Sequence, residues 1–358
     1  MADSAFAALQ DRIRAAHAAQ QPLVIRGGGT KDFYGERCEG ERLDTTALAG
    51  IVAYAPGELV ITANAGTPLD DVEQTMAEHG QMLAFEPPRF GPGGTLGGTI
   101  ATGLSGPRRP YAGAVRDFVL GLKIVDGTGQ ALSFGGRVMK NVAGFDVSRL
   151  QTGALGTLGV ITEVSLKCLP RPKAEATLVQ ECSADESIRR VNAWGGKPLP
   201  ISATCHHDGR LSVRLSGAAP AITAAIQNIG GERVSPADEF WASVRDHAHP
   251  FFVAARSEDR SLWRLSVKSN APNAELPGAQ LIEWGGALRW LATAADADPA
   301  PIRAWAKAHG GHATLFRGVG RSGVFAPLDA PAATLHRRLK ATFDPHGVLN
   351  RGRMYSDF

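Results

Sequence analysis

Arg26-Gly27-Gly28-Gly29-Thr30-Lys31 and Gly93-Gly94-Thr95-Leu96-Gly97-Gly98-Thr99 are the two stretches on which the fold reading turns. The first follows Leu23-Val24-Ile25, a short apolar run with the composition of a strand. Three successive glycines can turn several N–H groups into one concavity that takes a phosphate; a tight strand-to-helix turn explains the same triplet. The second stretch sets glycine pairs on either side of a small polar and an apolar residue, with the Thr95 and Thr99 hydroxyls as further donors. It is not G-x-G-x-x-G, because Leu96 stands where a count from Gly91 requires glycine, and no G-x-x-x-x-G-K-[ST] occurs. Backbone this bare still lies readily against a pyrophosphate, and two such loops in one domain point to a shared diphosphate ligand. A third element, Gly153-Ala-Leu-Gly156-Thr-Leu-Gly159-Val160-Ile161-Thr162, runs into an apolar strand. Close packing of backbone against a flat ring accounts for it, and so does a plain β-bulge.

Outward from these loops the composition changes. Between Gly91 and Gly159 lie 17 of the 42 glycines, whereas all six tryptophans come later, so the first boundary is placed near Leu169-Pro170-Arg171-Pro172. Before it, Leu59 to Thr62, Leu120 to Val125 and Val160 to Thr162 read as further strands. Pro68 to His79 reads as a helix capped by Thr67, with Leu69, Val72 and Met76 on one face. After it, Leu211 to Leu215 and Leu262 to Val267 alternate as strands, and Pro220 to Ile229 and Pro301 to Ala308 read as helices. The expected fold class is α+β, with domains at 1–169 (subdomains about 1–55 and 56–169) and 170–325, and a tail at 326–358. The 358 residues are 44% hydrophobic with a formal charge of +3, which bounds a two-domain globular chain and excludes nucleic-acid binding by charge alone. Four scattered cysteines lack C-x-x-C spacing, so no cluster or disulfide framework is expected. No run spans a membrane and no secretory signal opens the chain, so it is expected to be soluble and cytoplasmic, with peripheral membrane association only through a complex.

The run from Pro22 through Pro172 resembles the FAD-binding domain of the vanillyl-alcohol oxidase type, also called the PCMH type. More narrowly, Ser105-Gly-Pro-Arg-Arg-Pro-Tyr, Val115-Arg-Asp-Phe-Val-Leu-Gly, Val138-Met-Lys-Asn-Val-Ala-Gly-Phe-Asp-Val-Ser-Arg-Leu, Trp284-Gly-Gly-Ala-Leu-Arg-Trp-Leu and Phe343-Asp-Pro-His-Gly-Val-Leu-Asn-Arg-Gly-Arg-Met resemble the small FAD-binding subunits of bacterial glycolate oxidases. The resemblance implies a PCMH-type FAD-binding domain of two α+β subdomains with a small α+β cap. It implies non-covalent FAD, since Thr30 stands where covalent members often carry histidine. By motif position it places Arg26, Gly27, Gly28, Gly29, Thr30, Lys31, Gly93, Gly94, Thr95, Gly97, Gly98 and Thr99 at the diphosphate. Gly106, Gly159, Val160 and Ile161 fall at the adenine and ribose, and Asn350 near the isoalloxazine. The implied partners are a homologous large flavin subunit, an iron–sulfur subunit and a small 2-hydroxyacid substrate, with oxidation of glycolate to glyoxylate as the reaction. A self-sufficient 2-hydroxyacid dehydrogenase and a structural subunit with a vestigial flavin site are the alternatives.

Oxidising a 2-hydroxyacid at a flavin needs a base for the hydroxyl proton and a cation for the carboxylate. His312, His247 and His249 are candidate bases and Arg317, Arg321 and Arg289 candidate clamps, with His312 and Arg317 as the catalytic assignment. Structural or surface roles are the plain alternative for each. The His312 segment, Gly311-His-Ala-Thr-Leu-Phe-Arg-Gly, departs from the Gly-His-x-Gly-Asp-Gly-Asn-x-His pattern of the related dehydrogenases, so no metal is assigned. His206-His207 is read as a surface pair, and Lys140 with Asp146 as a structural brace.

Overall fold

The computed structural model describes residues 2–136, 146–319 and 321–358, and Lys140 lies outside them. The chain divides into two compact units, one formed by Met1–Leu104, Ala114–Pro170 and Pro327–Phe358, the other by Ser105–Gly113 and Arg171–Ala326.

Unit 1 opens with a helix, Ala2–Ala19, in which Leu9, Ile13 and Ala16 fall on one stripe and are buried. A parallel pair follows, β1 (Leu23–Arg26) with β2 (Glu41–Asp44), and the tail joins its edge through a parallel bridge from Leu349 to Leu23. The helix, this pair and the tail share one core of Leu9, Ile13, Leu23, Leu43, Val348 and Leu349, which also takes in Val125 and Val160. The second layer is an antiparallel sheet of β3 (Ile51–Ala55), β4 (Val60–Asn64), β6 (Val119–Val125), β7 (Ala131–Gly135) and β8 (Val160–Lys167) in the order β3-β4-β8-β6-β7. Short β5 (Gln81–Met82) pairs with β9 (Leu169–Pro170). The helix Leu69–Ala77 buries Leu69, Val72 and Met76 as its spacing predicts. Thr67 is not its cap: Pro68 holds that place, and the Thr67 hydroxyl accepts from Gly50 N at 2.9 Å and donates to Asn64 O at 2.7 Å.

Unit 2 is built on one eight-stranded antiparallel sheet of β10 (Ala174–Glu181), β11 (Ile201–His207), β12 (Arg210–Gly217), β13 (Glu232–Val234), β14 (Arg260–Ser266), β15 (Ala279–Glu283), β16 (Leu288–Ala294) and β17 (His312–Arg317). The order is β13-β10-β12-β11-β15-β16-β14-β17. Because side chains alternate across a strand, the register divides the sheet into two unlike faces. One carries Leu178, Val213, Leu291, Leu265 and Ala313, packed under helices that include Ala219–Ile229 and Pro299–Ala308. The other carries Glu175, Arg214, Glu283, Trp290, Arg264, Thr314 and His312, placed there by pairs such as Glu175↔Ser216, Arg264↔Trp290 and Arg264↔Thr314. Among the described residues, no helix is long and apolar enough to cross a membrane.

Candidate functional site

The three glycine elements, spread over more than a hundred residues of sequence, converge in unit 1. A Cβ on Gly28 would overlap the carbonyl of Gly93, and one on Gly27 would overlap the Thr95 hydroxyl, so the first two loops touch backbone to backbone. Gly94 O and Thr67 O accept from Leu69 N and Leu96 N, each at 2.9 Å, which fixes the second loop against the start of a neighbouring helix. Thr95 then caps the helix Leu96–Thr102 by accepting from Gly98 N at 3.3 Å. Gly97 is needed for packing, since its added Cβ would lie 2.8 Å from that of Ala65. The third loop closes the far end of the same helix, with Gly153 N donating to Ile100 O at 3.0 Å and Leu155 N to Ala101 O at 2.8 Å. One two-turn helix thus joins the second and third elements, a connection with no sequence signal of its own.

Among the described residues, the backbone N–H groups of Gly28, Gly29, Thr30, Gly93 and Gly94 donate to no protein acceptor. They sit on two adjoining loops beside Lys31, which is 8% exposed and lies within reach of an added Gly94 Cβ at 3.9 Å. Arg26 is half-buried there, with its Nε 2.6 Å from Asp32 Oδ2. Convergent amide donors with a lysine form an anion nest, so these residues fit the diphosphate of FAD. Thr99 is not the ligand donor that its place in the motif suggests: it is wholly buried, and its hydroxyl donates to Thr95 O at 3.1 Å.

The remaining residues of the motif set take several roles. Gly159 packs on Ile124, Val160 belongs to the core, and Ile161 is 6% exposed, so their side chains build the sheet and only backbone is left for a ligand. Asn350 is a clamp: its Oδ1 accepts from Ile25 N at 2.8 Å, its Nδ2 donates to Leu155 O at 2.6 Å, and its N donates to Leu23 O at 3.0 Å. Gly106 belongs to unit 2, where its carbonyl accepts from Trp284 Nε1 at 3.1 Å.

Behind the glycine loops lies a buried ion pair that sequence reading passed over. Lys340 Nζ donates to Asp344 Oδ2 at 2.7 Å, Thr157 O at 2.9 Å and Leu349 O at 2.7 Å, which uses all three protons. Asp344 in turn accepts from Val348 N at 2.9 Å and Leu349 N at 2.7 Å. Burial lowers the Lys340 pKa against the opposing pull of Asp344. The i,i+4 spacing is the only sequence trace of this hub.

In unit 2 Arg264 pairs with Thr314 at the middle of β17, while His312 and Arg317 stand at its two ends, opposite Ser266 and Leu262 of β14, so the fold places them on one strand without bringing them side by side. Partial desolvation and then Arg264 lower the His312 pKa, while desolvation and then Arg256 lower Arg317 to about 10. The other candidates lie off this strand. Arg289 is 1% exposed on the aliphatic face, donating to Gly286 O at 2.6 Å and Ala271 O at 2.8 Å, and is a structural brace rather than a clamp. His247 is buried and stacks on Phe252 at 3.8 Å; burial, with neighbouring arginines, holds its pKa well below the usual histidine value. His249 caps the short helix Pro250–Ala254. His206 is not a surface residue; it is 7% exposed and bonds Cys182 O at 2.9 Å, whereas His207 is half-buried. Among the described residues, no three His, Cys, Asp or Glu side chains are grouped to hold a metal.

The FAD binding domain family matches residues 6–135. Glycolate oxidase subunit GlcE of Escherichia coli is 48% identical over 98% of this chain and 97% of its own length. The chain belongs to the GlcE family. FAD is therefore its cofactor, and the family is one of FAD-dependent oxidoreductases. Glycolate oxidase subunit GlcD of Bacillus subtilis is 32% identical over 44% of this chain and 34% of its own length. A solved structure of alkyldihydroxyacetonephosphate synthase, 15% identical, covers 96% of this chain and 73% of that one with a TM-score of 0.65, a likeness of fold.

Proposed function

We propose that this chain is the small flavin subunit of a complex that oxidises glycolate to glyoxylate and passes electrons from its flavin toward an iron–sulfur partner. The observation that carries this reading is near full-length similarity to a glycolate oxidase subunit, 48% identity over 98% of the chain. FAD bound in the nest supplies the two-electron acceptor. The chain's own part is to hold the diphosphate through Gly28, Gly29, Thr30, Gly93 and Gly94 with Lys31, and to order the third loop through the helix Leu96–Thr102. His312 and Arg317 are the residues we assign to the hydroxyl proton and the carboxylate. The partners are a homologous large flavin subunit and an iron–sulfur subunit, in a cytoplasmic complex with peripheral membrane association. Thr30 at the position of a linking histidine makes the FAD dissociable.

Two measurements test this. Acid precipitation should release all yellow chromophore into the supernatant, and flavin retained in the pellet would overturn the non-covalent assignment. The purified chain should reduce its flavin slowly with anaerobic glycolate while the reconstituted three-subunit complex turns over with an added quinone. Full-speed reduction by the chain alone, abolished by His312→Ala, would replace the subunit reading with a self-sufficient dehydrogenase.

A further inference from the structure

The third glycine loop has two sides. On one, Gly153 N and Leu155 N donate to Ile100 O and Ala101 O of the helix Leu96–Thr102. On the other, where Lys340 Nζ reaches Thr157 O, unit 1 holds a cavity of about 130 Å³ between the loop, the helix Ala330–Phe343 and the tail. The loop supplies Ala154 and Thr157 to its wall, and Leu158, Leu339, Met354 and Phe358 make most of the rest apolar. No residue of the glycine loops 26–31 and 93–99 lines it, so the cavity is separate from the diphosphate nest. The side-chain donors of the wall are already engaged. Thr152 and Thr157 donate their hydroxyl protons to Ser148 O at 3.2 Å and Ala154 O at 2.7 Å, and Lys340 uses all three of its own. His336, half-buried in the same wall, has Nδ1 2.8 Å from Ala332 O. A carbonyl only accepts, so the imidazole proton sits on Nδ1, and Nε2 on the far side of the neutral ring keeps its lone pair. Ring contacts to Phe358 at 5.8 Å and Tyr355 at 6.2 Å hold that orientation. An apolar cavity of about 150 Å³ is enough for one benzene ring, so this hole has the size of a single ring. It offers that ring one acceptor and no spare side-chain donor. A carboxylate finds nothing to receive it there, and a bare hydrocarbon leaves Nε2 unsatisfied; an uncharged ring with a hydroxyl meets both demands.

We propose that this cavity is a binding site for a single-ring phenol, which braces the third cofactor loop from its far side. The occupant's O–H donates to His336 Nε2, and its ring packs on Met354 and Phe358. Ala154 and Thr157 belong both to the cavity wall and to the loop that runs into Val160, so filling the cavity stiffens that loop. If the loop is stiffened in its FAD-binding arrangement, linkage requires the ring and FAD to favour each other's binding. The site acts on cofactor retention and does not depend on which acid the flavin oxidises.

The test is fluorine NMR of para-fluorophenol titrated with the FAD-loaded chain, with fluorobenzene as the ring that lacks the hydroxyl. The expected result is saturable broadening of the phenol signal, with fluorobenzene about ten-fold weaker. His336→Phe keeps a ring in the wall and should make the two probes equal. Met354→Trp fills the hole and should abolish binding of both at unchanged FAD content. Saturating para-fluorophenol should slow FAD release on dilution, read as flavin in an ultrafiltrate, by about five-fold or more in the parent and not at all in Met354→Trp. If Met354→Trp does not fold, His336→Phe carries the test, because it leaves the cavity's apolar wall in place. Absence of saturable binding, equal affinity for the two probes in the parent, or an unchanged preference in His336→Phe overturns the proposal. So does FAD release that the phenol leaves unchanged or accelerates, the last because the ring would then compete for the cofactor's own place.

Discussion

In unit 1 the glycine loops present backbone amides at Gly28, Gly29, Thr30, Gly93 and Gly94; unit 2's polar side carries guanidinium groups, with Arg264 and Arg317 on its sheet and Arg109 and Arg264 over the Trp284 ring. The first surface exists because side chains are missing, the second because side chains are stacked and spaced by a sheet. They should therefore fail differently. A backbone site is lost when a Cβ enters it, whatever its chemistry, whereas a side-chain site responds to charge and shape by degrees.

The largest expected effect is on the backbone surface. Gly28→Val puts a branched side chain where the Gly93 carbonyl already lies, so the two loops cannot meet and the purified protein should carry no FAD. Arg317→Met should leave the flavin-to-protein absorbance ratio unchanged; equal flavin loss in both variants would erase the distinction between the units. Next comes Lys340→Met, which strands Asp344 in the core and should cost about 3–5 kcal/mol by denaturant unfolding, since breaking a buried pair leaves an uncompensated charge. Asn350→Ala is smaller. It frees Ile25 N and Leu155 O inside unit 1 and should cost about 1–3 kcal/mol, read as a shift in the urea midpoint at constant slope.

The smallest effect sharpens the contrast through pH. The pKa of His247 in unit 2 is lowered by burial, so the folded state holds it neutral while the unfolded chain protonates it below about pH 6.5. Its contribution is fully present above that pH and falls as pH drops, by at most about 1.4 kcal/mol per pH unit for one group. His247→Asn should flatten the stability profile between about pH 6.5 and 5 by that slope. A parallel profile for the variant would show that His247 does not titrate on unfolding.

The glycine loops were legible because a missing side chain is itself a sequence signal, and a glycine-rich run directly after an apolar one marks bare backbone at a strand end. Helix faces were legible too, as in Leu69, Val72 and Met76. The Thr67 cap was not, because Pro68 takes the capping position while the hydroxyl turns back to Asn64 and Gly50. Arg289 and Arg264 look alike in sequence, yet the antiparallel register puts Arg289 on the aliphatic face and Arg264 on the polar one. Face assignment needs to know which strands pair, and that is long-range information. The same holds for His206, buried by pairing with Ile282 across β15, and for Trp284, whose ring partners lie 175 positions upstream and 20 upstream in the chain.

The membership of Ser105–Gly113 in unit 2 bears on recombination between relatives. The chain passes from one unit to the other four times, so residues 171–326 are not an exchangeable cassette. A chimera that takes that span from one parent and Ser105–Gly113 from another inherits mismatched halves of three interactions at once. They are Arg108 with Glu175, Gly106 with the Trp284 indole, and Arg109 on the same ring. Crossovers that preserve both pieces together should yield soluble hybrids, and substitutions in the short piece should be inherited jointly with those in the long one.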